Sequence, residues 1–226
     1  MLFLSIDTSG KSGGITLAEG GANSFRIIES APIAGGTFSA QLVPTLASLL
    51  GKHGFSARDL KGLVAISGPG SFTGLRVGLS AIKGLAEALQ RPIATVSGLE
   101  ALAICSGQQG KVIAVLDAGR EEIFFGLYDV TAGHASALAE QLLSGPELAS
   151  AIQDANVDQV VTSDPTVAEL VRSAGLSVLQ AERPGSEAAA QIGLQKLLAG
   201  ETVSVEALDA NYIRRSDAEI FSKPKP

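Results

Sequence analysis

The first residues with chemical potential are Asp7-Thr8-Ser9, which end a β-prone stretch (residues 2–6) and lead into a glycine-rich turn. A carboxylate at a strand end can orient a hydrated magnesium ion, while hydroxyls and turn N–H groups meet phosphate oxygens. The same residues suit an Asx turn, in which the aspartate accepts from the amides of its own turn. Spacing favours the second role and leaves the first open. Gly10-Lys11-Ser12 resembles the end of a phosphate-binding loop, but the glycine that must open such a loop falls on Ser5. Gly10-Lys11-Ser12-Gly13-Gly14 also fits G-x-S-x-G, an elbow that has to join a strand to a helix. Here glycines join two strand-like stretches, so a hairpin is the better account.

Histidine limits the chemistry most. The chain has only His53 and His134, far apart in glycine-flanked stretches. Neither a clustered transition-metal site nor a Ser-His-Asp triad can be assembled persuasively from them. Asp117, Arg120, Glu121 and Glu122 form a charged cluster that reads best as a solvated loop between two hairpin strands. Arg214, Arg215, Lys223 and Lys225 form a small basic cluster near the C-terminus, better read as a solvated tail than as a contact for RNA or an acidic partner.

Gly68-Pro69-Gly70-Ser71-Phe72-Thr73-Gly74 is a strand-to-helix turn whose glycine spacing is one residue too long for the dinucleotide fingerprint. The helix start can still accept an anion through its free N–H groups. Along that helix Leu75, Leu79, Ile82, Ala86 and Leu89 form an apolar stripe, and Gly74, Gly78, Ala81 and Ala88 form a neighbouring stripe of small residues, joined by Val77 and Gly84. Together they cover roughly 220°, more than the ~100° that packing on one layer needs. Either the helix is buried on two sides within its own chain, or its small-residue face meets another helix.

The elements that position these residues follow from pattern. Residues 2–6, 15–18 and 25–28 predict an antiparallel meander punctuated by glycine pairs. A helix from Ser39, as N-cap, to about Leu50, a buried parallel strand at 63–66, the helix to about Gln90, a strand at 92–96 and a helix through Ile104 capped by Ser97 come next. After the linker-like Ser106–Gly110 the pattern restarts with strands at 112–116 and 123–130. Helix 146–153, strand 159–163, helix 165–173, strand 177–180 and helix 186–199 complete it. Strands followed by helices, twice, predict two α/β halves of related design, although no residue-level repeat is visible.

Composition bounds the rest. At 226 residues the chain can bury a sizeable core unaided. Its 17 basic and 23 acidic residues give a net charge of −6, the opposite of what a protein coating nucleic acid or an anionic membrane carries. One cysteine, Cys105, excludes an internal disulfide framework. There are 26 glycines, above the typical ~7 %, and no tryptophan. No signal peptide and no membrane-length apolar run is evident, which leads us to expect a cytoplasmic protein.

Ile66-Ser67-Gly68-Pro69-Gly70-Ser71-Phe72-Thr73-Gly74-Leu75-Arg76-Val77-Gly78, with Lys83-Gly84-Leu85-Ala86, Pro92 and Val96-Ser97-Gly98-Leu99-Glu100-Ala101-Leu102-Ala103, closely resembles the TsaB (YeaZ) family. Ile6-Asp7-Thr8-Ser9 resembles that family's opening, and the resemblance is strong over residues 1–104. It weakens beyond: Asp117-Ala118-Gly119-Arg120-Glu121 carries an apparent insertion, and Ala210 replaces a proline before Tyr212 and Arg214.

The resemblance implies an actin/Hsp70-like ATPase (ribonuclease H-like) fold of two α/β subdomains, each a mixed sheet flanked by helices. The expected division is residues 1–104, 105–206 and a C-terminal segment, 207–226, returning to the first subdomain. It implies a non-catalytic subunit in making N6-threonylcarbamoyladenosine beside the tRNA anticodon. The catalytic partner would be TsaD, with TsaE, an ATPase, as third partner and a homodimer when partners are absent. Membranes would play no part, and tRNA would be met only through the complex. The implied interface is Gly70, Ser71, Phe72, Thr73, Gly74, Arg76, Val77, Gly78, Ala81, Gly84, Leu85 and Ala88. Asp7, Thr8 and Ser9 would be a vestigial nucleotide motif; the chain would need no metal or cofactor of its own, with any ATP or ADP held at the complex interface. Two alternatives are an active phosphotransferase of the same fold, using Asp7 for ATP, and a metallopeptidase, which the missing histidine pair disfavours.

Overall fold

The apolar run around β1 (Leu2–Asp7) becomes the centre of a five-stranded sheet, in a computed structural model that describes residues 1–211 and 213. β2 (Ser12–Gly21) and β3 (Ser24–Ala34) continue from it as an antiparallel meander. β4 (Gly62–Gly68) and β5 (Ile93–Ser97) lie on its other side, parallel to it. Every residue of β4 is buried, as a parallel strand covered on both faces requires. On one face α1 (Phe38–Lys52) and α2 (Phe72–Leu89) bury Phe38, Leu42, Leu46, Leu75, Leu79 and Ile82 against Leu4, Ile6, Leu17 and Leu63. The alternate side chains Phe3, Ala18, Val64 and Ile66 form a second core on the opposite face.

The second sheet repeats the plan without repeating residues. β6 (Gly110–Gly119) is central, β7 (Glu122–Thr131) and β8 (His134–Ser144) follow antiparallel, and β9 (Val160–Thr162) and β10 (Leu179–Gln180) lie parallel on the far side. Both sheets therefore place their five strands in the order third, second, first, fourth, fifth. This is the doubled α/β architecture that the two-half pattern and the resemblance led us to expect. α3 (Gly98–Cys105) is shared: Ala101 packs into the first half's core, while Leu99, Leu102 and Ala103 pack into the second half's. Ser97 caps it as the sequence suggested, and the structure adds Glu100, which completes a capping box. α4 (Gly145–Ala155) and α5 (Pro165–Ser173) cover the outer face of the second sheet.

Four details depart from the sequence reading. β8 was not expected, because His134–Ser144 is rich in Ala, Leu, Glu and Gln. It forms because Ala132-Gly133, both at positive φ (51° and 82°), closes a two-residue hairpin that pairs it along β7. Gly13, Gly14, Gly20 and Gly21 lie inside β2 rather than in turns. At Gly20 a Cβ would stand 2.4 Å from Leu194, so this glycine admits a helix, not a bend. Thr37, not Ser39, precedes the first turn of α1. Finally, α6 (Ser186–Ala199) does not cover the second sheet; Ala189, Ala190, Ile192 and Leu194 join Phe3 and Val64 on the first. The packing thus returns to the first half at Ser186, earlier than the expected residue 207.

α6 is fixed there by a partly buried pair, Lys196 Nζ donating to Glu100 at 2.7 Å and to the Thr95 carbonyl at 3.0 Å. Gly193 lets the helix axis approach the sheet, since a Cβ would meet the Val64 methyls at 2.4 and 2.5 Å. Gly193→Ala should therefore lower unfolding stability by about 1–3 kcal/mol, the usual cost of overpacking, read as a reduced urea midpoint with an unchanged m-value.

Candidate functional site

Asp7, Thr8 and Ser9 sit at the carboxyl end of β1 and are almost fully buried. Asp7 Oδ1 accepts from the Ser9 N–H at 2.8 Å and from Ser9 Oγ at 2.7 Å, which is the Asx turn. The Ser9 carbonyl accepts from the Ser71 N–H at 2.7 Å, and Arg183 donates to Ser9 Oγ at 3.3 Å. The Ser9 N–H, hydroxyl and carbonyl and one Asp7 oxygen are thus engaged within the chain. Asp117 repeats the device at the end of β6, accepting from the Gly119 N–H at 2.7 Å, while its own N–H donates to Asp164 at 2.7 Å. Asp117, Arg120 and Glu121 are exposed at the β6–β7 hairpin and Glu122 is half-buried. The two turns meet a cleft of about 1290 Å³ between the halves, which Lys11, Gly70, Asp164 and Arg183 also line.

Close approach explains the glycines at the start of α2. A Cβ on Gly70 would lie 2.2 Å from the Ser9 carbonyl oxygen, one on Gly74 2.1 Å from that of Thr8, and one on Gly78 2.2 Å from Thr8 Oγ1. Gly74 and Gly78 therefore face the end of β1 and are buried within the chain. This corrects their expected place on an outward interface: the physical reason is that β1 occupies the space in front of them.

The other expected interface residues divide by face. Ser71, Phe72, Thr73, Arg76, Gly84 and Ala88 are exposed, while Gly70, Val77, Ala81 and Leu85 are half-buried. Ser71 caps the helix by accepting from the Gly74 N–H, and the Arg76 guanidinium lies 3.8 Å above the Phe72 ring. Val77, Ala81, Gly84 and Ala88 make a continuous outward row of small side chains, and nothing lies within 4 Å of a Cβ built on Gly84. The helix is thus buried on two sides and still carries a small-residue face.

α1, packed beside α2, extends that face, which the sequence reading missed. Ala40, Val43, Pro44, Ala47 and Gly51 are exposed, Val43 to 63 %, and no charged residue precedes Lys52 in the helix. The available signal was that absence of charge along a surface helix.

Other candidates are not brought together. His53 pairs with Glu29 at 2.7 Å in the first half, whereas His134 opens β8 in the second. Lys52 and His53 beside Glu29 hold its carboxyl below the usual range. Among the described residues no group of three His, Cys, Asp or Glu could hold a metal ion, and no helix is long and apolar enough to cross a membrane. Tyr212 and the basic positions Arg214, Arg215, Lys223 and Lys225 lie outside the described residues.

The two glycine classes predict opposite outcomes. Gly78→Ala should cost about 1–3 kcal/mol through the clash with Thr8, whereas Gly84→Ala should gain about 0.5–1 kcal/mol from helix propensity. Thermal and urea unfolding of the two variants, side by side, measure this.

Comparison with known proteins bears on the fold and the family. A family model described as "TsaD: tRNA N6-adenosine threonylcarbamoyltransferase" matches residues 32–152, just over half of the chain. The Bacillus subtilis (strain 168) "tRNA threonylcarbamoyladenosine biosynthesis protein TsaB" is 36 % identical over 135 residues, 59 % of this chain and 57 % of that protein. The match thus spans little more than half of that relative's length. The Escherichia coli (strain K12) protein of the same name is 27 % identical over 187 residues, 79 % of this chain and 81 % of that one. A crystal structure described as an "uncharacterized protein with similarity to peptidase YEAZ from Pseudomonas aeruginosa" superposes with a TM-score of 0.78 at 26 % identity, over 94 % of this chain and 99 % of that one. Joined to the Gly68–Gly78 block and the doubled actin/Hsp70-like plan, these matches show that the chain belongs to the family that the TsaD model describes and, within it, to the TsaB (YeaZ) branch.

Proposed function

We propose that this chain is a non-catalytic subunit of the assembly that makes N6-threonylcarbamoyladenosine in tRNA, and that it docks through α1 and α2 to a TsaD-type catalytic subunit. The observation that carries the reading is the uncharged face of small side chains on two adjacent helices: Val77, Ala81, Gly84 and Ala88 beside Ala40, Val43, Pro44 and Ala47. Small side chains let helix backbones approach closely, and an exposed apolar patch rimmed by polar groups marks a contact surface.

The family model supports the choice of partner. Its match spans both helices, so a TsaD-type chain carries counterparts of α1 and α2. Two chains of one plan can pair about a pseudo-two-fold axis by the same face that would form a homodimer. The homodimer and the heterodimer therefore compete for one surface. Docking would favour the competent conformation of the TsaD site, a population effect that needs no reacting group here. The transfer of threonylcarbamoyl to the adenosine next to the anticodon belongs to the partner, a TsaE-type ATPase completes the assembly, and tRNA is met through the complex. A nucleotide, where present, is assigned to that complex, a reading supported by the Ser9 N–H and hydroxyl being held by Asp7 and the Ser9 carbonyl by the Ser71 N–H.

The test uses Gly84→Arg and Val43→Glu, which change the open face without entering the core. Each should weaken association with a TsaD-type subunit at least tenfold and abolish the homodimer on size-exclusion chromatography with light scattering, with unchanged circular dichroism. Reconstituted tRNA modification should fall in parallel. Retention of both complexes by the two variants overturns the docking face; modification that proceeds equally without this chain overturns the subunit role.

A further inference from the structure

At the seam between the halves, polar side chains from both converge. Glu140 stands on β8 of the second half, opposite Gly126 of β7. The Tyr128 ring lies back over Gly126, where a Cβ would be 2.6 Å from the ring, and its hydroxyl donates to Glu140 Oε1. Ser97 Oγ, from the junction of β5 and α3 in the first half, donates to the same oxygen at 2.8 Å. Asn211 Nδ2, from the segment that follows α6, donates to Glu140 Oε2 at 2.5 Å. One carboxylate thus collects donors from both halves and from the returning chain.

The returning segment crosses the seam at that point. Leu208 and Ala210 pack in the first half's core, the Asn211 N–H donates to the Ser67 carbonyl at 2.7 Å, and Ile213 packs against the second half's core. Gly68, at φ +122°, leaves room for the Asn211 carbonyl, which stands 3.1 Å from where a Cβ would be. Asn211 and Ile213 also line the cleft. Burial and the Glu140 charge push the Tyr128 phenol above its ordinary range, so it remains a donor.

We propose that Glu140 and Asn211 form a latch that fastens residues 208–211 across the seam and holds the two halves at a fixed separation. The latch is a hydrogen-bonded carboxylate–amide pair, and its geometry specifies which atoms can exchange roles. In Asn211→Asp two carboxylates face each other and the pair repels. Adding Glu140→Gln restores it, because the amide oxygen keeps Ser97 and Tyr128 while the amide nitrogen donates to the new aspartate. The proposal is independent of the docking reading.

The experiment measures the distance between spin labels at positions 58 and 154, one exposed residue in each half, in a Cys105→Ser background. Amide hydrogen exchange of residues 208–211 is followed in the same variants. Asn211→Asp should lengthen or broaden the distance distribution and raise exchange at least tenfold, and Asn211→Asp with Glu140→Gln should return both toward the parent. If Asn211→Asp leaves the distances and the exchange unchanged, or if the double variant stays as open as the single one, the latch is wrong. Should Asn211→Asp fail to fold, Asn211→Ala supplies the same comparison without repulsion, and parental distances and exchange in it overturn the proposal.

Discussion

The contact on which the rest of this structure depends is the one between the end of β1 and the first two turns of α2. A strand end and a helix come together there to the point that Gly70, Gly74 and Gly78 cannot carry a Cβ. The Asx turn of Asp7 fixes the strand end, the Ser71 N–H bonds to it, and Thr8 fills the space before the helix. That approach decides which face of α2 remains for other uses. With Gly74 and Gly78 spent on β1, and with Leu75, Leu79 and Ile82 in the core, the outward row begins at Val77 and runs through Ala81, Gly84 and Ala88. The same approach explains why Asp7–Ser9 can look like a phosphate motif in sequence while its amide and carbonyl are consumed internally.

The same device recurs in the second half. Each half ends its first strand in an aspartate that accepts from an amide two residues on, Asp7 from Ser9 and Asp117 from Gly119. The two turns are not equivalent in setting, however. The first is buried under α2, and the second is open to the cleft. What joins the halves is neither turn but α3, shared between two cores, together with α6 and the segment after it, which return to the first half. A chain that crosses the seam more than once in this way ties the orientation of the halves to the apolar residues of α3 and of the returning segment, which pack into both cores, and to the polar contacts made beside them.

Much of this was legible. The strongly periodic α2, the buried β4 and the Ser97 cap follow directly from spacing, since local pattern and tertiary demand agree there. Two halves of related plan could be read from the order of elements. β8 could not, because eleven residues of helix-favouring composition become a strand only through pairing with β7 after a two-residue turn at Ala132-Gly133. Nor could the destination of α6, which sequence order places with the second half and packing places with the first. The glycines show the limit most clearly. Gly74, Gly78 and Gly84 read alike along the helix, yet only contact with Thr8 separates the two that serve the fold from the one that faces outward.

The acidic balance of the chain takes on meaning beside these contacts. A net charge of −6 makes this chain a poor holder of RNA on its own, and the proposed docking face avoids charge altogether. A face of Val, Ala, Gly and Pro buries apolar area and permits close helix approach, but it offers little to distinguish one similar surface from another. Discrimination between a second copy and a related partner must then come from the rim, where Arg76, Lys83 and Glu87 flank the row on α2. In the homodimer each rim charge meets the surface around an identical copy, so no charge can be matched without its twin being matched in the same way. On the proposed docking, a partner of the same plan with a different rim would be free of that constraint, and charges there complementary to Arg76, Lys83 and Glu87 would favour the heterodimer over the homodimer while the small-residue face served both.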